Sequence, residues 1–250
     1  TLDVTIYREG TIHHQIYHRG KAEGEVQVIG TCPEDKTGTT ITFLPDDTIF
    51  EETVYDFDIL QRRLRETAFL TKGLKITLSD TRPEQEREKT YHYEGGIKEF
   101  VQYINRSTSP LYEDVLYFEG EKNGVFVEVA MQHNDGYNES IYTFVNNVNT
   151  PEGGTHLEGL KRSLTRVFND YARKNKLLKE KEENLSGEDI REGLAAIVSV
   201  KVVDPQFEGQ TKQKLGNAYI RTLVNGIVGE QTTEYFEEHP AAAKAVLDKA

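Results

Sequence analysis

A short polar stretch between two apolar segments holds the residues best suited to chemistry. It runs from residue 205 to 217, after an apolar run typical of a buried strand and before a helical pattern that starts near Ala218. One proline and two glycines interrupt it, which predicts a loop. Loops mounted on a rigid strand are common positions for binding residues.

The side chains of this loop suit a phosphate group. Gln210 offers an amide, and Lys212 and Lys214 offer two ammonium groups. A lysine acts on a phosphate as a compact positive charge, and a glutamine two residues away can add a neutral donor. On these residues alone, a solvated polar loop without a ligand is the alternative interpretation.

The longest predicted helix follows Gly153 and Gly154. Leu157, Leu160, Leu164, Val167 and Tyr171 recur at helical spacing and predict one apolar face. The opposite face collects polar and basic residues: Lys161, Arg162, Thr165, Arg166, Asn169 and Arg173. Such a face is either solvated or in contact with phosphates. Thr155 and Glu158 predict a capping box at the helix start.

The remaining elements mix strands and helices. Alternating residues predict antiparallel strands through about residue 45. Further helices are predicted from Phe57, Ile97, Ser186, Tyr219 and Pro240, and further strands near 74–78, 91–93, 115–120, 125–132, 141–145 and 194–203. The pair Gly95 and Gly96 allows a change of direction and predicts a domain boundary after residue 93.

A second basic helix face is predicted around Arg62, Arg63 and Arg65. These arginines could contact phosphate, but Asp58 and Glu66 lie among them. We therefore interpret this face as solvated.

Composition limits the possible partners. The 42 acidic and 30 basic residues give a net charge of −12, so general attraction cannot hold nucleic acid and any contact needs a local basic surface. Cys32 is the single cysteine, which excludes an internal disulfide and fits a reducing cytoplasm. No apolar run approaches the length of a membrane span, so no membrane partner is expected.

A metal site is not predicted. His13, His14 and His18 lie in a predicted strand region, but no cysteine or carboxylate set accompanies them at ligand spacing. We interpret them as strand histidines.

Several motifs in order resemble one protein family along essentially the whole chain. They are similar to the B subunits of bacterial type II DNA topoisomerases, those of DNA gyrase and, as a near twin, of topoisomerase IV. The stretches that carry the resemblance are residues 36–39, 91–97, 128–132, 153–156, 169–174 and 191–194, together with Gln210-Thr211-Lys212 and the residues up to Gly216.

The resemblance implies an α+β fold with two domains. Residues 1–93 would be the end of an ATPase domain of the gyrase, heat-shock-90 and mismatch-repair class. Residues 94–250 would be a transducer domain like a ribosomal-protein domain, with a left-handed β-α-β crossover and an ATP-sensing loop at 206–217. Because the chain opens inside a strand pattern and without a starting Met, we expect it to be a piece of a longer protein.

The resemblance also implies roles for single residues. Lys212 would reach the γ-phosphate of ATP as a catalytic residue, with Gln210 beside it. Thr39 would lie at the floor of the adenine pocket and Arg8 at its mouth. The helix that follows Thr155 would face transported double-stranded DNA, through Lys161, Arg162 and Arg166.

For the parent protein, the resemblance implies ATP-dependent negative supercoiling by double-strand passage, in the bacterial cytoplasm. Its partners would be the gyrase A protein and a second copy of the gyrase B protein, in an ATP-dependent dimer within a heterotetramer. The Mg²⁺ ligands and the general base that the family needs are not among these residues, so this chain alone is expected to hydrolyse no ATP. The alternatives are the corresponding B protein of topoisomerase IV and, from another class, a nucleic-acid or protein interaction module with no ATP link.

Overall fold

The computed structural model describes residues 1–250, which form two compact units, Thr1–Phe57 and Asp58–Ala250. We call them the first and the second unit. The helix and the hairpin of residues 58–92 therefore belong to the second compact unit. The domain boundary predicted after residue 93 is a boundary between family domains, not between compact units, and it stays a prediction.

The first unit contains one antiparallel sheet, as the alternating residues predict. Its central strand β1 pairs with β2 on one side and with β5 on the other, and β2 also pairs with β3 and β4. The strands are β1 (Leu2–Arg8), β2 (Thr11–His18), β3 (Lys21–Ala22), β4 (Gln27–Thr31) and β5 (Gly38–Phe43).

The second unit is built on a five-stranded sheet of order β11-β10-β12-β9-β8. Its strands are β8 (Leu116–Lys122), β9 (Val125–His133), β10 (Ser140–Val145), β11 (Val148–Asn149) and β12 (Leu194–Lys201). Only β10 and β12 run parallel, and the other neighbours are antiparallel. The separate hairpin of β6 (Lys75–Asp80) and β7 (Arg87–His92) belongs to the same unit.

The central strand β12 is apolar without alternation because both of its faces are covered. Ala196, Val198 and Val200 contribute to one buried cluster, and Ala195 and Ile197 contribute to a second cluster on the other face. The loop of residues 205–217 follows the carboxyl end of this strand, so it starts from a buried central strand of the sheet.

Helices cover both faces of this sheet. Apolar residues of α3 and α5 join the first cluster, and those of α1 and α2 join the second. The helices are α1 (Phe57–Leu70), α2 (Ile97–Ile104), α3 (Thr155–Lys174), α4 (Gly187–Arg191), α5 (Ala218–Glu238) and α6 (Pro240–Leu247). None of them is both long enough and apolar enough to span a lipid bilayer.

The structure has a capping box at the start of α4 and none at the start of α3. At α4, Ser186 accepts a hydrogen bond from the backbone N–H of Asp189, and the Asp189 carboxylate in turn accepts one from the Ser186 N–H. The predicted box of Thr155 and Glu158 is wrong. Thr155 is already helical, its N–H donates to Leu215 O, and Glu158 forms an ion pair with Arg221 at 2.6 Å. The N-cap is Gly154, which has no side chain to donate or accept.

Candidate functional site

The candidate phosphate loop has a fixed base. Phe207 and Leu215 pair in an antiparallel bridge, the Glu208 N–H donates to Lys214 O at 2.9 Å, and the Gly216 N–H donates to Gln206 O at 2.7 Å. These main-chain bonds make the two arms of the loop a short ladder. The base therefore holds the tip in a defined direction.

One buried amide closes the loop at its ends. The Asn217 Oδ1 accepts from the Gln206 N–H at 2.7 Å, and its Nδ2 donates to Asp204 O at 3.2 Å. The residue is 4% exposed, so both polar ends of the amide are satisfied out of water. The start of α5 and the exit from β12 are thereby held together.

The loop is also bonded to the start of α3 through main-chain atoms alone. The Leu215 N–H donates to Gly153 O and the Thr155 N–H donates to Leu215 O, both at 3.0 Å. Gly154 lies between these bonds with φ +125°, and a Cβ there would come within 2.3 Å of Leu215 O. Only glycine fits so close an approach. We call this contact the Gly154–Leu215 junction.

The two lysines of the loop differ in their surroundings. Lys212 lies at the exposed tip beside Gln210, and neither side chain has a hydrogen-bond or ion-pair partner within the chain. Lys214 is partly buried and its ammonium pairs with the Glu208 carboxylate at 3.1 Å. Lys212 is thus the ammonium that is available to a phosphate from outside.

The basic face of α3 borders a concave surface of about 490 Å³. Arg162 and Arg166 are exposed there, and no carboxylate lies within ion-pair distance of either. The lining residues, which include five of the six predicted from the sequence, are Lys161, Arg162, Thr165, Arg166, Asn169, Asp170, Asn184, Leu185 and Arg191. We call it the α3 groove.

Arg191 and Glu139 are among the residues of the α3 groove region that sequence did not single out. The Glu139 carboxylate pairs with Lys161 at 2.6 Å and with Arg191 at 2.8 Å. Partial burial alone would raise the pKa of Glu139, but hydrogen bonds and charge from the two cations outweigh it and hold that pKa below its usual value. Glu139 is distant in sequence from both partners, so no local pattern could have signalled this contact.

Arg173, which was predicted on the same basic face, does not line the α3 groove and instead binds the connector that follows α3. Its guanidinium donates to the carbonyls of Lys179 and Glu182 and to the side chain of Asn184. These bonds fix the connector between α3 and α4. The groove therefore lacks this arginine and has Arg191 in addition.

The two other predicted nucleotide contacts lie on the sheet of the first unit. Thr39 is opposite Ile6 in the β1–β5 pair, and Arg8 is two residues further along β1. Opposite residues and residues two apart share a face, so Thr39 and Arg8 project from the same side. Both are exposed, and Arg8 pairs with the adjacent Glu9 at 2.9 Å. Their role with adenine stays a prediction.

No group of three or more His, Cys, Asp or Glu side chains is arranged to hold a metal ion. The histidines of the first unit instead contact neighbours. His14, for example, lies 3.0 Å from the Asp3 carboxylate.

Comparison with solved structures first defines the class of the fold. The structure matches the 43K ATPase domain of Thermus thermophilus gyrase B, solved in complex with an aminocoumarin, at a TM-score of 0.83 and 39% identity, covering 99% of this chain and 66% of that one. It also matches the topoisomerase IV ATP-binding domain of Francisella tularensis, solved with a small-molecule inhibitor, at a TM-score of 0.79 and 27% identity, covering 99% and 67%. The fold is thus the α+β fold of type II topoisomerase ATPase regions.

Sequence comparison then identifies the family. The DNA gyrase B family model matches residues 96–250. The DNA gyrase B protein of Halalkalibacterium halodurans is 53% identical over 249 residues, which is 99% of this chain and 39% of that protein. The chain belongs to the DNA gyrase B family, and it spans about two fifths of the length of this relative.

Proposed function

We propose that this chain is part of the ATP-operated clamp of a bacterial DNA gyrase, in which it couples ATP binding and hydrolysis to DNA transport. The parent enzyme would introduce negative supercoils by ATP-dependent double-strand passage. The observation that carries the proposal is the unpartnered Lys212 at the tip of a loop whose base is bonded to α3.

Lys212 is suited to sense the γ-phosphate. An ammonium needs no fixed fork geometry, so a loop tip can deliver it to a phosphate held elsewhere. Contact with the terminal phosphate would stabilise the charge that develops during phosphoryl transfer. It would also make the closed arrangement depend on ATP rather than ADP. Gln210 adds a neutral donor, and Thr39 and Arg8 would bind the nucleotide from the first unit.

The Gly154–Leu215 junction supports coupling of this event to DNA. A displacement of Leu215 must move the main chain at Gly153 and Thr155, because the bonds between them have no flexible side chain. Thr155 is the first residue of α3, whose Lys161, Arg162 and Arg166 would contact phosphates of the transported duplex. The bound nucleotide and the bound DNA would thereby both affect the position of α3.

The parent protein would work with partners outside this chain. We infer the gyrase A protein and a second copy of the gyrase B protein as protein partners, double-stranded DNA as substrate, and ATP with Mg²⁺ held by residues outside residues 1–250. The cytoplasm would be its compartment. Purified alone, this chain should show no ATP turnover above background, because the general base of the family would lie outside residues 1–250. Measurable turnover would overturn the assignment of roles.

Topoisomerase IV is the second candidate, favoured by the Francisella tularensis match. The higher identity to gyrase B proteins supports gyrase. Assembly of the full-length protein with its partner protein decides between the two, because gyrase would supercoil relaxed plasmid and topoisomerase IV would decatenate linked circles without supercoiling. An interaction module without an ATP link would do neither.

The central experiment compares three loop substitutions in the full-length protein with its partner protein. Lys212→Ala should reduce steady-state ATP hydrolysis by on the order of 100-fold or more, as loss of one electrostatic stabiliser of a transition state does. Nucleotide affinity should stay within a few-fold, because the adenine contacts that we propose, Thr39 and Arg8, are unchanged. Gln210→Ala should be milder, since it removes a neutral donor.

Lys214→Ala is the matched control two residues away. Its ammonium already pairs with Glu208, so its loss should change turnover least. If Lys214 were essential and Lys212 dispensable, the assignment of the two lysines would be wrong. If neither affected turnover, the loop would not be the γ-phosphate sensor.

A further inference from the structure

A second basic cavity lies on the face of the sheet opposite to α3. It has a volume of about 860 Å³ and is bordered by α1, by α2 and the residues after it, and by β10. The residues on which the argument rests are Arg62, Arg65, Phe100, Tyr103, Arg106 and Tyr142. We call it the arginine cavity.

The arginine cavity has an excess of positive charge. The two carboxylates on its lining are already paired, Glu66 with Arg63 at 3.3 Å and Asp58 with Arg87 at 3.7 Å. No carboxylate lies within ion-pair distance of Arg62, Arg65 or Arg106, which line the cavity together. Guanidinium groups stay charged at any physiological pH, so they repel one another without an anion between them. The chain as a whole is acidic, with a net charge of −12, so a group of guanidinium groups without carboxylate partners is a local exception. Such a group would be stabilised by a bound anion.

Tyr103 contacts two of these guanidinium groups. The guanidinium carbon of Arg106 lies 4.0 Å from the centroid of the Tyr103 ring, and that of Arg65 lies 4.8 Å from it. Arg106 also donates to Tyr103 O at 2.6 Å. Arg65 likewise donates to the Tyr103 hydroxyl. Each guanidinium has five N–H donors, so further N–H groups stay available for the oxygens of a phosphate.

The floor of the arginine cavity can receive a flat group. The rings of Phe100 and Tyr142 stack with centroids 5.9 Å apart and an angle of 27° between their planes, and Tyr142 is 40% exposed. Exposed aromatic rings stack on bases of unpaired nucleotides and on other planar groups. Positive charge beside an aromatic surface is the combination found where phosphate-bearing aromatic ligands bind.

The arginine cavity and the α3 groove meet at one position of the sheet edge. Ser140, the first residue of β10, lines the arginine cavity, and the preceding Glu139 binds Lys161 and Arg191 of the α3 groove. Glu139 directly precedes β10, so two consecutive residues contact the two basic surfaces.

We infer that the arginine cavity is a phosphate-binding site, separate from the loop of residues 205–217 and from the α3 groove. Arg62, Arg65 and Arg106 bind the phosphate oxygens, and the Phe100–Tyr142 surface contacts a base or sugar attached to that phosphate. The phosphate belongs either to a nucleic-acid backbone or to a free nucleotide. This inference does not depend on the role of Lys212.

The test measures binding of two probes, inorganic pyrophosphate by calorimetry and a fluorescently labelled single strand of DNA by anisotropy. Arg62→Gln alone, and Arg62→Gln with Arg106→Gln, are compared with the unchanged chain. Arg62 has no partner within the protein to lose, so its replacement leaves the fold intact. At least one probe should bind about tenfold more weakly to the double variant, as the loss of charge-assisted hydrogen bonds implies.

Lys179→Gln is the control, because it removes the same charge from an exposed connector away from the arginine cavity. Weakening of pyrophosphate alone identifies a free nucleotide as the source of the phosphate, and weakening of DNA identifies a nucleic-acid backbone. If neither probe is weakened beyond the effect of Lys179→Gln, the inference is overturned.

Discussion

Lys212 and Lys214 look alike in the sequence, but the structure shows that only the Lys214 ammonium has an ion-pair partner. The residue types and the glycine and proline breaks predict a polar loop with two ammonium groups, and the structure confirms the loop. Which ammonium is free depends on the ladder that aligns Glu208 with Lys214. Because that alignment is set by main-chain pairing across the loop, spacing along the sequence could not distinguish the two lysines.

Gly154 provides a residue-scale prediction. Gly154→Ala places a Cβ within 2.4 Å of both Leu215 N and O and forces a side chain into a backbone conformation with φ +125°. The conformation alone should lower the free energy of unfolding by about 1–3 kcal/mol, and the close contact should add to this. Urea unfolding of the chain measures the change.

The matched control is Gly226→Ala in α5. No atom lies within 4 Å of the Cβ that this substitution adds, and the position is exposed and helical. Alanine favours helix over glycine, so this variant should be more stable by about 0.5–1 kcal/mol. Equal effects of the two substitutions would show that the Gly154–Leu215 junction does not constrain the chain.

At the scale of elements, the periodicity of the sequence predicts which segments form helices and strands, but it does not predict which strands pair. The apolar spacing of α3 and the continuous apolar run of β12 predict these elements and their burial, and both are confirmed. The position of β12 between β9 and β10 could not be predicted, because β9 and β10 follow each other along the chain and only tertiary packing separates them. The failed capping box at Thr155 has the same cause, since its N–H is used by a residue far along the sequence.

The α3 groove supports a prediction about DNA. In the full-length protein with its partner protein, Arg162→Ala with Arg166→Ala should flatten the salt dependence of DNA binding by about one unit of slope for each lost phosphate contact. DNA stimulation of ATP hydrolysis should fall while basal hydrolysis stays. Lys161→Ala should have a smaller effect, since Glu139 already holds its ammonium.

Lys174→Ala, on the last turn of the same helix and paired with Glu237, is the control and should leave the slope unchanged. An unaltered slope in the double arginine variant would mean that the face of α3 is only solvated.

At the scale of the whole chain, two buried histidines make stability depend on pH. Burial, aided by the charge of Lys249, lowers the pKa of His133 to about 4, and burial lowers the pKa of His156 to about 4. Unfolded histidine titrates near 6.5. Between these values the unfolded chain binds protons that the folded chain does not, so stability is complete above about pH 6.5 and falls as the pH drops toward 4, by up to about 1.4 kcal/mol per pH unit for each histidine.

Urea unfolding at several pH values between 7.5 and 5 checks this expectation. His156→Gln should reduce the slope of unfolding free energy against pH, because one titrating group is removed. A slope unchanged by His156→Gln would assign the pH dependence to other groups.

The opening of the Gly154–Leu215 junction can be measured by hydrogen exchange, without a label on the protein. Both of its bonds use amide protons, those of Leu215 and Thr155, and Leu215 is completely buried. Exchange of these two protons with deuterated water requires the loop base to separate from α3, so their exchange rates measure how often that opening occurs. Since no side chain takes part in these bonds, the same two amides can be followed in every variant of Gln210, Lys212 or Lys214.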